Sequence, residues 1–409
     1  MKLAIIISTL DGGGAAAIVS QITSNLTKEY DIDIIVNSKR NIRYPYKGRI
    51  VDLGINRIPS DTSNIFFQIR VFVKRIVEIS RLKKSNRYDV CISYMDSANV
   101  VNILTRHSYK KCRTILNVVH NMSALAKSNR KYKYIVSPLI KTLYNKADAI
   151  IAQTHDIKRD LAGFGVSERQ IFVNYSAVDI KRIDETISDR FKQNDEFALR
   201  WIDKDKTVIT AGRFTVQKGH WHLIRAFRKV VDCIPDAKLV IFGNGGLKDY
   251  YLDLIRSYQL EDNVSLHDFD PDYVWYISHS AVFCFPSLHE GLGMALQDAM
   301  ACNVACIAAD YESGARELLT SGYDGQIEDI YNGDSGIITR TLNCCLYDTN
   351  IALDKAEECL AKAIVDLLQD KELRRELAIK ARKKAESYDL KVIVDNWERI
   401  INEVYGSEK

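Results

Sequence analysis

Short, uninterrupted apolar runs alternate with helical segments along most of the chain, and this pattern constrains the fold more than any other feature. The first run, KLAIIIS, lies near the N-terminus and lacks the polar alternation of a half-exposed strand. Continuous apolar runs of this length are typical of parallel strands that are buried on both faces. Similar runs follow in YDIDIIVN, YDVCISY, CRTILNVVH and ADAIIAQT. With helical segments between them, these runs predict an α/β domain built on a parallel sheet.

The alternation stops at about residues 183–200 and then starts again. The stretch DIKRIDETISDRFKQNDEF is polar and has no strand pattern, whereas KTVITAGR, AKLVIFGNG, AVFCFPS and VACIAAD have the character of strands. A chain of 409 residues is long enough to bury two cores. We therefore predict two α/β domains of similar architecture, residues 1–182 and 201–387, joined by residues 183–200.

The last part of the chain is mostly helical. Residues 388–406 have an apolar stripe formed by Val394, Trp397, Ile401 and Val404. A stripe of this kind needs a partner surface. We expect this helix to pack back on the first domain.

The net charge of +4 conceals an uneven distribution. Residues 1–182 contain 30 basic and 14 acidic residues, a net charge of +16, and the remainder has a net charge of −12. A basic half indicates an anionic partner, which could be a membrane surface, a nucleic acid or a phosphorylated substrate. No nucleic-acid recognition motif is present, so we expect no nucleic-acid partner.

Two stretches of the basic half mix basic and apolar side chains. Residues 66–84, FFQIRVFVKRIVEISRLKK, and residues 127–141, KSNRKYKYIVSPLIK, could lie on an anionic bilayer. The alternative for each is an ordinary amphipathic helix with a basic outer face, which in the first stretch would include Arg70, Lys74, Arg75 and Arg81. The charge asymmetry favours the membrane surface.

The N-terminus and the cysteines favour a cytoplasmic protein. The apolar segment Leu3–Leu10 contains Ser8 and Thr9 and ends at Asp11, which fits a strand and turn better than a signal peptide. The nine cysteines show no paired CxxC spacing, so we expect buried free thiols and no zinc site.

The segment FPSLHEGLGMALQDAM, residues 285–300, combines an acid, two glycines and a helix start at the end of an apolar run. Gly291 and Gly293 allow a ligand to approach the backbone closely. The helix that starts at Met294 offers free N–H groups that favour an anion. Glu290 is an unusual neighbour for an anion unless it binds a hydroxylated part of the same ligand, and a nucleotide-sugar has both parts. The alternative is that Glu290 only caps the helix.

A second segment, AGRFTVQKG at residues 211–219, follows another predicted strand. Arg213 provides a forked donor and Lys218 a mobile point charge. Either cation alone could be a solvated surface charge. Their pairing directly after a strand predicts a diphosphate site.

These segments, together with IFGNGG, resemble the signatures of retaining glycosyltransferases of family 4. The resemblance covers nearly the whole chain and is most specific in residues 207–310. It implies an α/β fold of two doubly wound Rossmann-like domains that face each other across a cleft, the GT-B fold. The paired acids of this family are two glutamates, whereas this sequence has Glu290 and Asp298.

The resemblance also implies roles for individual residues of the second domain. Glu290 would contact the donor sugar, and Asp298, with an arm one methylene shorter than glutamate, would bind the ribose hydroxyls. Arg213 and Lys218 would bind the diphosphate. The backbone of Gly291, Leu292, Gly293 and Met294 would cradle the same ligand.

In the first domain, the loop LDGGGAAAI resembles the glycine-rich loop of the family, so Gly13 and Gly14 are expected to approach the donor phosphate. The Glu-Arg pair that commonly follows is replaced by Ala16 and Ala17. A dinucleotide site is the alternative, but the GxGxxG pattern is not matched. His120, at the end of NVVHN, matches a histidine that lies near the transferred sugar, although a lone histidine can also be structural.

The expected function is therefore a retaining hexosyltransferase that transfers from a nucleotide-diphosphate sugar, with a UDP-sugar favoured over a GDP-sugar, to a glycan or lipid-linked glycan acceptor. We expect it to act in cell-surface polysaccharide synthesis, without a cofactor or metal, in the cytoplasm and peripherally on the inner face of the membrane. Two alternatives stay open. One is a nucleotide-sugar epimerase of the same architecture, and the other is a non-catalytic partner subunit, suggested by Asp298 and the missing Glu-Arg pair.

Overall fold

The chain divides into two compact units. The computed structural model describes residues 1–55, 65–128, 134, 137–190, 196–311, 313–347 and 351–407. Unit 1 comprises Met1–Ala177 together with Leu390–Lys409, and unit 2 comprises Val178–Asp389. The sequence-based boundary at residue 182 lies within the first helix of unit 2, and residues 183–200 belong to that unit.

Unit 1 contains a sheet of seven parallel strands. The strands are Lys2–Ile6 (β1), Asp31–Val36 (β2), Arg49–Asp52 (β3), Val90–Tyr94 (β4), Arg113–Val118 (β5), Ala149–Ala152 (β6) and Ile171–Val173 (β7). Their order in the sheet is β3-β2-β1-β4-β5-β6-β7. Every residue of the central strands β4 and β5 is buried, which explains their continuous apolar runs.

Helices connect these strands. They are Gly14–Asn25 (α1), Ile65–Asn86 (α2), Asp96–Leu104 (α3), Met122–Ser128 (α4), Ser137–Leu143 (α5) and His155–Gly163 (α6). The C-terminal helix Leu390–Gly406 (α16) also belongs to unit 1. Its predicted stripe of Val394, Trp397, Ile401 and Val404 is buried.

Helix α16 packs on the rest of unit 1 through both apolar and polar contacts. The Trp397 ring lies 6.1 Å from the ring of Tyr94 between centroids. The carboxylate of Glu398 accepts hydrogen bonds from the backbone N–H groups of Thr27 and Lys28 at 2.7 and 3.0 Å. The helix therefore contributes both apolar packing and the partners of backbone donors just after α1.

Unit 2 contains a second sheet of seven strands. The strands are Thr207–Ala211 (β8), Lys238–Phe242 (β9), Val264–His267 (β10), Val282–Phe285 (β11), Ala305–Ala309 (β12), Ile330–Asn332 (β13) and Ile337–Thr339 (β14). Their order is β10-β9-β8-β11-β12-β14-β13. All pairs are parallel except β13 with β14, which forms an antiparallel edge.

The helices of unit 2 complete its core. They are Ile180–Arg190 (α7), Glu196–Trp201 (α8), His220–Cys233 (α9), Lys248–Ser257 (α10), Tyr273–Ser278 (α11), Met294–Ala301 (α12), Ala315–Leu319 (α13), Lys355–Gln369 (α14) and Lys371–Ala385 (α15). A buried ion pair joins α9 to α14, where Arg225 Nε lies 2.8 Å from Glu357 Oε1. The imidazole of His222 contacts the same carboxylate oxygen at 2.7 Å.

In both units the strand order changes direction beside the first strand of the sheet. This switch point lies between β1 and β4 in unit 1 and between β8 and β11 in unit 2. Open α/β sheets bind ligands at the carboxyl ends of the strands at such a point. The glycine-containing loops after β1, β8 and β11 therefore lie where a ligand is expected.

Helix α2 differs from a simple amphipathic helix with a basic outer face. Large apolar side chains on it are exposed, with Phe66 at 80%, Ile69 at 53% and Val73 at 51% exposure. The alternative, in which Arg75 would belong to a basic outer face, does not hold for this residue, because it is only 4% exposed. The second basic stretch, residues 127–141, lies largely outside the described residues.

Candidate active site

The loop after β8 interlocks with the loop after β11. Gly219 has a left-handed conformation with φ 61°, and a Cβ atom there would lie 2.1 Å from the carbonyl oxygen of Pro286. The N–H of Leu288 donates to the carbonyl oxygen of Gln217 at 2.9 Å. The side-chain amide of Gln217 donates to the carbonyl oxygen of His289 at 3.0 Å. Glycine is required at position 219 for two reasons. Other residues rarely adopt this left-handed backbone conformation, and a side chain would clash with the carbonyl oxygen of Pro286.

Lys218 and Glu290 meet where these loops join. The Lys218 ammonium lies 2.6 Å from Glu290 Oε1, and the two side chains are only 14% and 13% exposed. Ser287 Oγ donates to the same carboxylate oxygen at 3.2 Å. The ammonium also lies 5.0 Å from the centroid of the Phe285 ring. The two residues assigned to diphosphate and sugar thus form a single, largely buried ion pair.

Arg213 lies on the exposed side of the same loop. Its guanidinium contacts Gln217 Oε1 at 3.4 Å, and the residue is solvent-exposed. Gln217 therefore connects Arg213 to the loop after β11, because its amide nitrogen holds the His289 carbonyl. Sequence reasoning missed Gln217 and Ser287, whose roles depend on contacts between loops that are distant in sequence.

The glycines after Glu290 bring the backbone to the start of α12. Gly293 occupies the N-cap position with φ 97°, and a Cβ atom there would lie 2.6 Å from the Tyr311 hydroxyl. That hydroxyl donates to the Leu292 carbonyl oxygen at 2.8 Å, and the Gly314 N–H donates to the Gly291 carbonyl oxygen at 3.2 Å. The loop is thus held from its far side by residues after β12.

No side chain caps α12. The N-cap residue is Gly293, and no side-chain hydrogen bond closes the first turn. The alternative that Glu290 serves as the helix cap is therefore wrong. The first turn, which starts at Met294, keeps N–H groups that can bind an anion.

Asp298 lies on α12, and its carboxylate accepts a hydrogen bond from the Tyr273 hydroxyl of α11. Burial raises the pKa of Asp298 to about 6, while the hydrogen bond from Tyr273 and the charge of Arg182 act in the opposite direction. Tyr273 was not expected from the sequence. It follows the polar segment DFDPD, and only the packing of α11 against α12 brings it to this acid.

The glycine-rich loop of unit 1 follows β1. Gly13 has φ 88° and occupies the N-cap position of α1, which begins at Gly14. Apart from the adjacent residues, no described atom would lie within 4 Å of a Cβ atom at Gly13. The left-handed backbone, rather than crowding, explains glycine at this position.

His120 follows β5 and contacts an acid that follows β4. Its Nε2 lies 3.0 Å from Asp96 Oδ2, and both side chains are about four-fifths buried, with 20% and 18% exposure. The Tyr144 hydroxyl donates to Asp96 Oδ1 at 3.3 Å. Asp96 was missed, although its place directly after the strand YDVCISY is a signal that could have identified it.

Most of the predicted site residues follow the carboxyl ends of strands in their own unit. In unit 2, Arg213, Lys218, Glu290 and the backbone of residues 291–294 lie at the carboxyl ends of β8 and β11, and Asp298 lies further along α12. In unit 1, Gly13, Gly14 and His120 follow strands at the carboxyl edge of the sheet.

Within the described ranges, no group of three or more His, Cys, Asp or Glu side chains could hold a metal ion. None of the helices in the same ranges is both long enough and apolar enough to span a bilayer.

Comparison with known proteins connects both units to one enzyme family. Residues 12–182 match the family described as "Glycosyltransferase Family 4", and residues 191–336 match "Glycosyl transferases group 1". The two matches together cover the larger part of each unit.

Sequence similarity to two curated glycosyltransferases extends over nearly the whole chain. An N-acetylgalactosamine-N,N'-diacetylbacillosaminyl-diphospho-undecaprenol 4-alpha-N-acetylgalactosaminyltransferase from Campylobacter jejuni is 27% identical over 95% of this chain and 96% of its own. The amylovoran biosynthesis glycosyltransferase AmsD of Erwinia amylovora is 24% identical over 98% and 99%.

A solved structure also resembles the chain. HepE from Anabaena, in complex with UDP-glucose, has a TM-score of 0.71 at 16% identity and covers 98% of this chain and 100% of its own. The expected GT-B class, two doubly wound Rossmann-like α/β domains, is confirmed by this likeness and by the two sheets. The protein belongs to the family 4, group 1 glycosyltransferases.

Proposed function

We propose that this glycosyltransferase is a retaining hexosyltransferase that uses a UDP-sugar and extends a lipid-linked glycan in cell-surface polysaccharide synthesis. The observation that carries this proposal is the 2.6 Å contact between Lys218 and Glu290 at the switch point of unit 2. In this pair, a cation suited to a phosphate lies next to an acid suited to sugar hydroxyls. A nucleotide-sugar presents these two groups side by side, because its diphosphate is bonded to the anomeric carbon.

The cations would stabilise the departing diphosphate. An ammonium has three N–H donors, so Lys218 can keep its bond to Glu290 and still donate to a phosphate oxygen. Arg213 offers an exposed guanidinium beside it, and the uncapped start of α12 adds backbone donors. Donors that are already in place before charge develops lower the barrier without reorganisation.

Glu290 would position the sugar. Its carboxylate is held by Lys218 and Ser287, so it can accept hydrogen bonds from sugar hydroxyls in a fixed orientation. Holding the anomeric carbon against the acceptor in this way can contribute several kcal/mol. Asp298, held by Tyr273, would bind the ribose hydroxyls.

Unit 1 would bind the acceptor. His120 is fixed by Asp96, and we assign it to the vicinity of the transferred sugar. Gly13 and Gly14 keep their proposed role beside the donor phosphate. The name of the Campylobacter relative describes a substrate linked to diphospho-undecaprenol, which supports a lipid-linked acceptor, and the Anabaena structure contains UDP-glucose, which supports a UDP-sugar.

The surface of α2 supports a peripheral position on an anionic membrane. Phe66, Ile69, Val73 and Val77 follow one another at helical spacing and are 51–80% exposed. The basic residues Arg70, Lys74 and Arg81 form an adjacent exposed row. A helix that presents apolar and basic rows together to solvent is suited to lie in the interface of an anionic bilayer.

We also propose that no metal is needed. The charge of the diphosphate would be balanced by Arg213, Lys218 and the start of α12. Transfer that continues in the presence of a chelator would support this assignment, and loss of transfer that Mg²⁺ or Mn²⁺ restores would contradict it.

A thermal-shift screen of nucleotide-sugars tests the function. Binding stabilises the folded state by mass action, so the true donor should raise the melting temperature. The donor that binds is then incubated with and without a lipid-linked glycan. Transfer only with acceptor, and retention of the anomeric configuration in the product, supports the proposal. Isomerised donor without acceptor would indicate the epimerase alternative, and no stabilisation by any donor would indicate a non-catalytic subunit.

A further inference from the structure

Arg75 is a buried cation without an acidic partner. It lies on the inward face of α2 and is 4% exposed. Its Nη1 donates to Ser97 Oγ at 2.5 Å, and its Nε has no hydrogen-bond partner among the described residues. Among the described residues, no carboxylate lies within ion-pair distance of this guanidinium.

The other buried arginines of the described chain are paired differently. Arg113 contacts Asp148, Arg225 contacts Glu357, and Arg374 contacts Asp205, at 2.7–3.3 Å. A buried charge is costly unless a counter-charge or several hydrogen bonds compensate it. Burial lowers the pKa of Arg75 to about 10, so the group is still charged at neutral pH. Among the described residues, Arg75 is therefore a buried charge that Ser97 contacts and no carboxylate pairs with.

The guanidinium points to the first turn of α3. Ser97 is the second residue of this nine-residue helix, and the free N–H groups of a helix start favour an anion. Met95, just before the helix, has a left-handed φ of 76° although it is not glycine. The helix follows β4, which borders the switch point of unit 1. Two independent sources of positive potential thus converge at the edge where a ligand is expected.

The acid in the same turn is already engaged. Asp96 directs one carboxylate oxygen to His120 and the other to Tyr144. Its recorded ion pair is with His120, and none joins it to Arg75.

We propose that Arg75 and the first turn of α3 bind a phosphoryl group of the lipid-linked acceptor. This inference rests on the proposed function, because that function supplies an acceptor with a phosphate next to its lipid. The guanidinium fork and the N–H groups of α3 match the oxygens of a phosphate. The diphosphate of the donor has its own cations in unit 2, so this site serves a second anion. Since Arg75 is almost fully buried, binding requires a small side-chain movement, as is common at binding sites.

The test compares ligand binding and stability in variants of the full chain. The probes are farnesyl diphosphate, inorganic pyrophosphate and uncharged farnesol. Arg75→Met and Arg75→Gln remove the charge, Arg75→Lys keeps it, and Arg169→Gln removes an exposed charge from the same unit as a matched control. Affinity for each probe and the melting temperature without ligand are measured for all variants.

We expect the wild type and Arg169→Gln to bind farnesyl diphosphate and not farnesol. Loss of the charge at position 75 should weaken this binding by about ten-fold or more, and Arg75→Lys should retain part of it. Without ligand, Arg75→Met should melt at the same temperature as the wild type or higher, because it removes a buried unpaired charge. Stronger binding of farnesyl diphosphate than of pyrophosphate would identify a lipid phosphate, and equal binding a free phosphate compound.

Other results would overturn the inference. These are the absence of diphosphate binding in the wild type, unchanged binding in the Arg75 variants, or a lower melting temperature of Arg75→Met with unchanged binding, which would show a structural role. If Arg75→Met does not fold, Arg75→Lys and Arg75→Gln decide the question. Stabilisation by UDP reports on unit 2 in every variant. Its absence in the wild type would count against the proposed donor, whatever the result at Arg75.

Discussion

The ammonium of Lys218 lies 2.6 Å from the carboxylate of Glu290, so the residues assigned to the diphosphate and to the sugar hold each other in place. Both side chains are largely buried. Removing one partner of such a pair leaves the other charge uncompensated, which can cost about 3–5 kcal/mol when burial is complete. Measurements on either residue must therefore separate effects on stability from effects on ligand binding.

Replacement of Glu290 by Gln should lower transfer strongly while UDP still binds. The amide keeps the shape of the side chain but loses the charge that, in the proposed site, would orient the sugar hydroxyls. The diphosphate would still be held by Arg213, Lys218 and backbone N–H groups. Transfer rate, UDP affinity by calorimetry and melting temperature should be measured together. Near-normal transfer with a lowered melting temperature would leave Glu290 with a purely structural role.

Replacement of Arg213 or Lys218 by Ala should weaken binding of the donor by about 1.5–3 kcal/mol each, because each change removes a charge-assisted hydrogen bond. Their effects on stability should differ. Arg213 is exposed, so its loss should leave the melting temperature nearly unchanged. Loss of Lys218 should lower the melting temperature, because it leaves the largely buried carboxylate of Glu290 without its cation. Calorimetry with the donor gives the affinities, with Arg169→Ala as a control for loss of an exposed charge. Unchanged donor affinity in both variants would exclude the proposed diphosphate site.

The stability contributed by Asp298 should depend on pH. Burial raises the pKa of its carboxyl group from 3.8 to about 6 in the folded protein. The folded state then binds more protons than the unfolded state between these values, so stability is lost as the pH rises from about 4 to about 6. The whole shift corresponds to about 3 kcal/mol at neutral pH, as an upper bound.

An Asp298→Asn variant isolates this effect, because all other groups titrate alike in the two proteins. The variant should be more stable than the wild type at about pH 7.5 and should lose this advantage at about pH 4.5. Urea unfolding at the two pH values provides the measurement. A stability difference that does not change with pH would show that Asp298 has no such shift.

Replacement of Asp298 by Glu tests whether the short arm is required. If Asp298 holds the ribose less closely than a glutamate would, the longer side chain should keep or improve donor affinity. Tyr273→Phe is the matched variant, because it removes the hydrogen bond to Asp298 without changing the acid. A collapse of donor affinity in a folded Asp298→Glu protein would show that the contact with Tyr273 needs the shorter residue.

Binding to anionic vesicles should depend on the apolar row of α2. Val73→Glu should weaken flotation with such vesicles by about ten-fold or more, since it removes apolar burial and adds repulsion. Val392, a valine of similar exposure on α16, provides the control variant Val392→Glu, because Val73 is 51% and Val392 is 47% exposed. Added salt should weaken binding of the wild type through screening. Equal flotation with neutral and anionic vesicles would contradict the proposed surface.

The sequence predicts the parts of the fold that depend on short-range patterns. Runs such as KLAIIIS and YDVCISY correspond to β1 and β4, because a strand buried on both faces needs a continuous apolar segment. Glycines at positions 13, 219 and 293 correspond to left-handed backbone at helix starts. For the strands and for Gly13 the physical requirement is local, so neighbouring residues are sufficient to reveal it. Gly219 and Gly293 are also required by contacts with Pro286 and Tyr311, which come from distant parts of the sequence.

The contacts that complete the candidate sites are not local. Gln217 and His289 come from different loops, and Asp96 and His120 follow different strands. Residues this far apart meet only because the strand order brings their loops together. Arg75 is a further case in which the sequence alone is not sufficient. Its neighbours in sequence are compatible with a solvated helix face, whereas the packing of α2 on α3 buries it.

The position of α16 has a consequence for the order in which the protein is made and folded. Unit 1 is completed by residues that follow all of unit 2 in the chain. Before they leave the ribosome, Tyr94 lacks the Trp397 ring and the N–H groups after α1 lack the carboxylate of Glu398. Unit 2 is continuous in sequence and can finish folding as it emerges. The half of the protein that is synthesised first is therefore the half that must wait longest for its final structure.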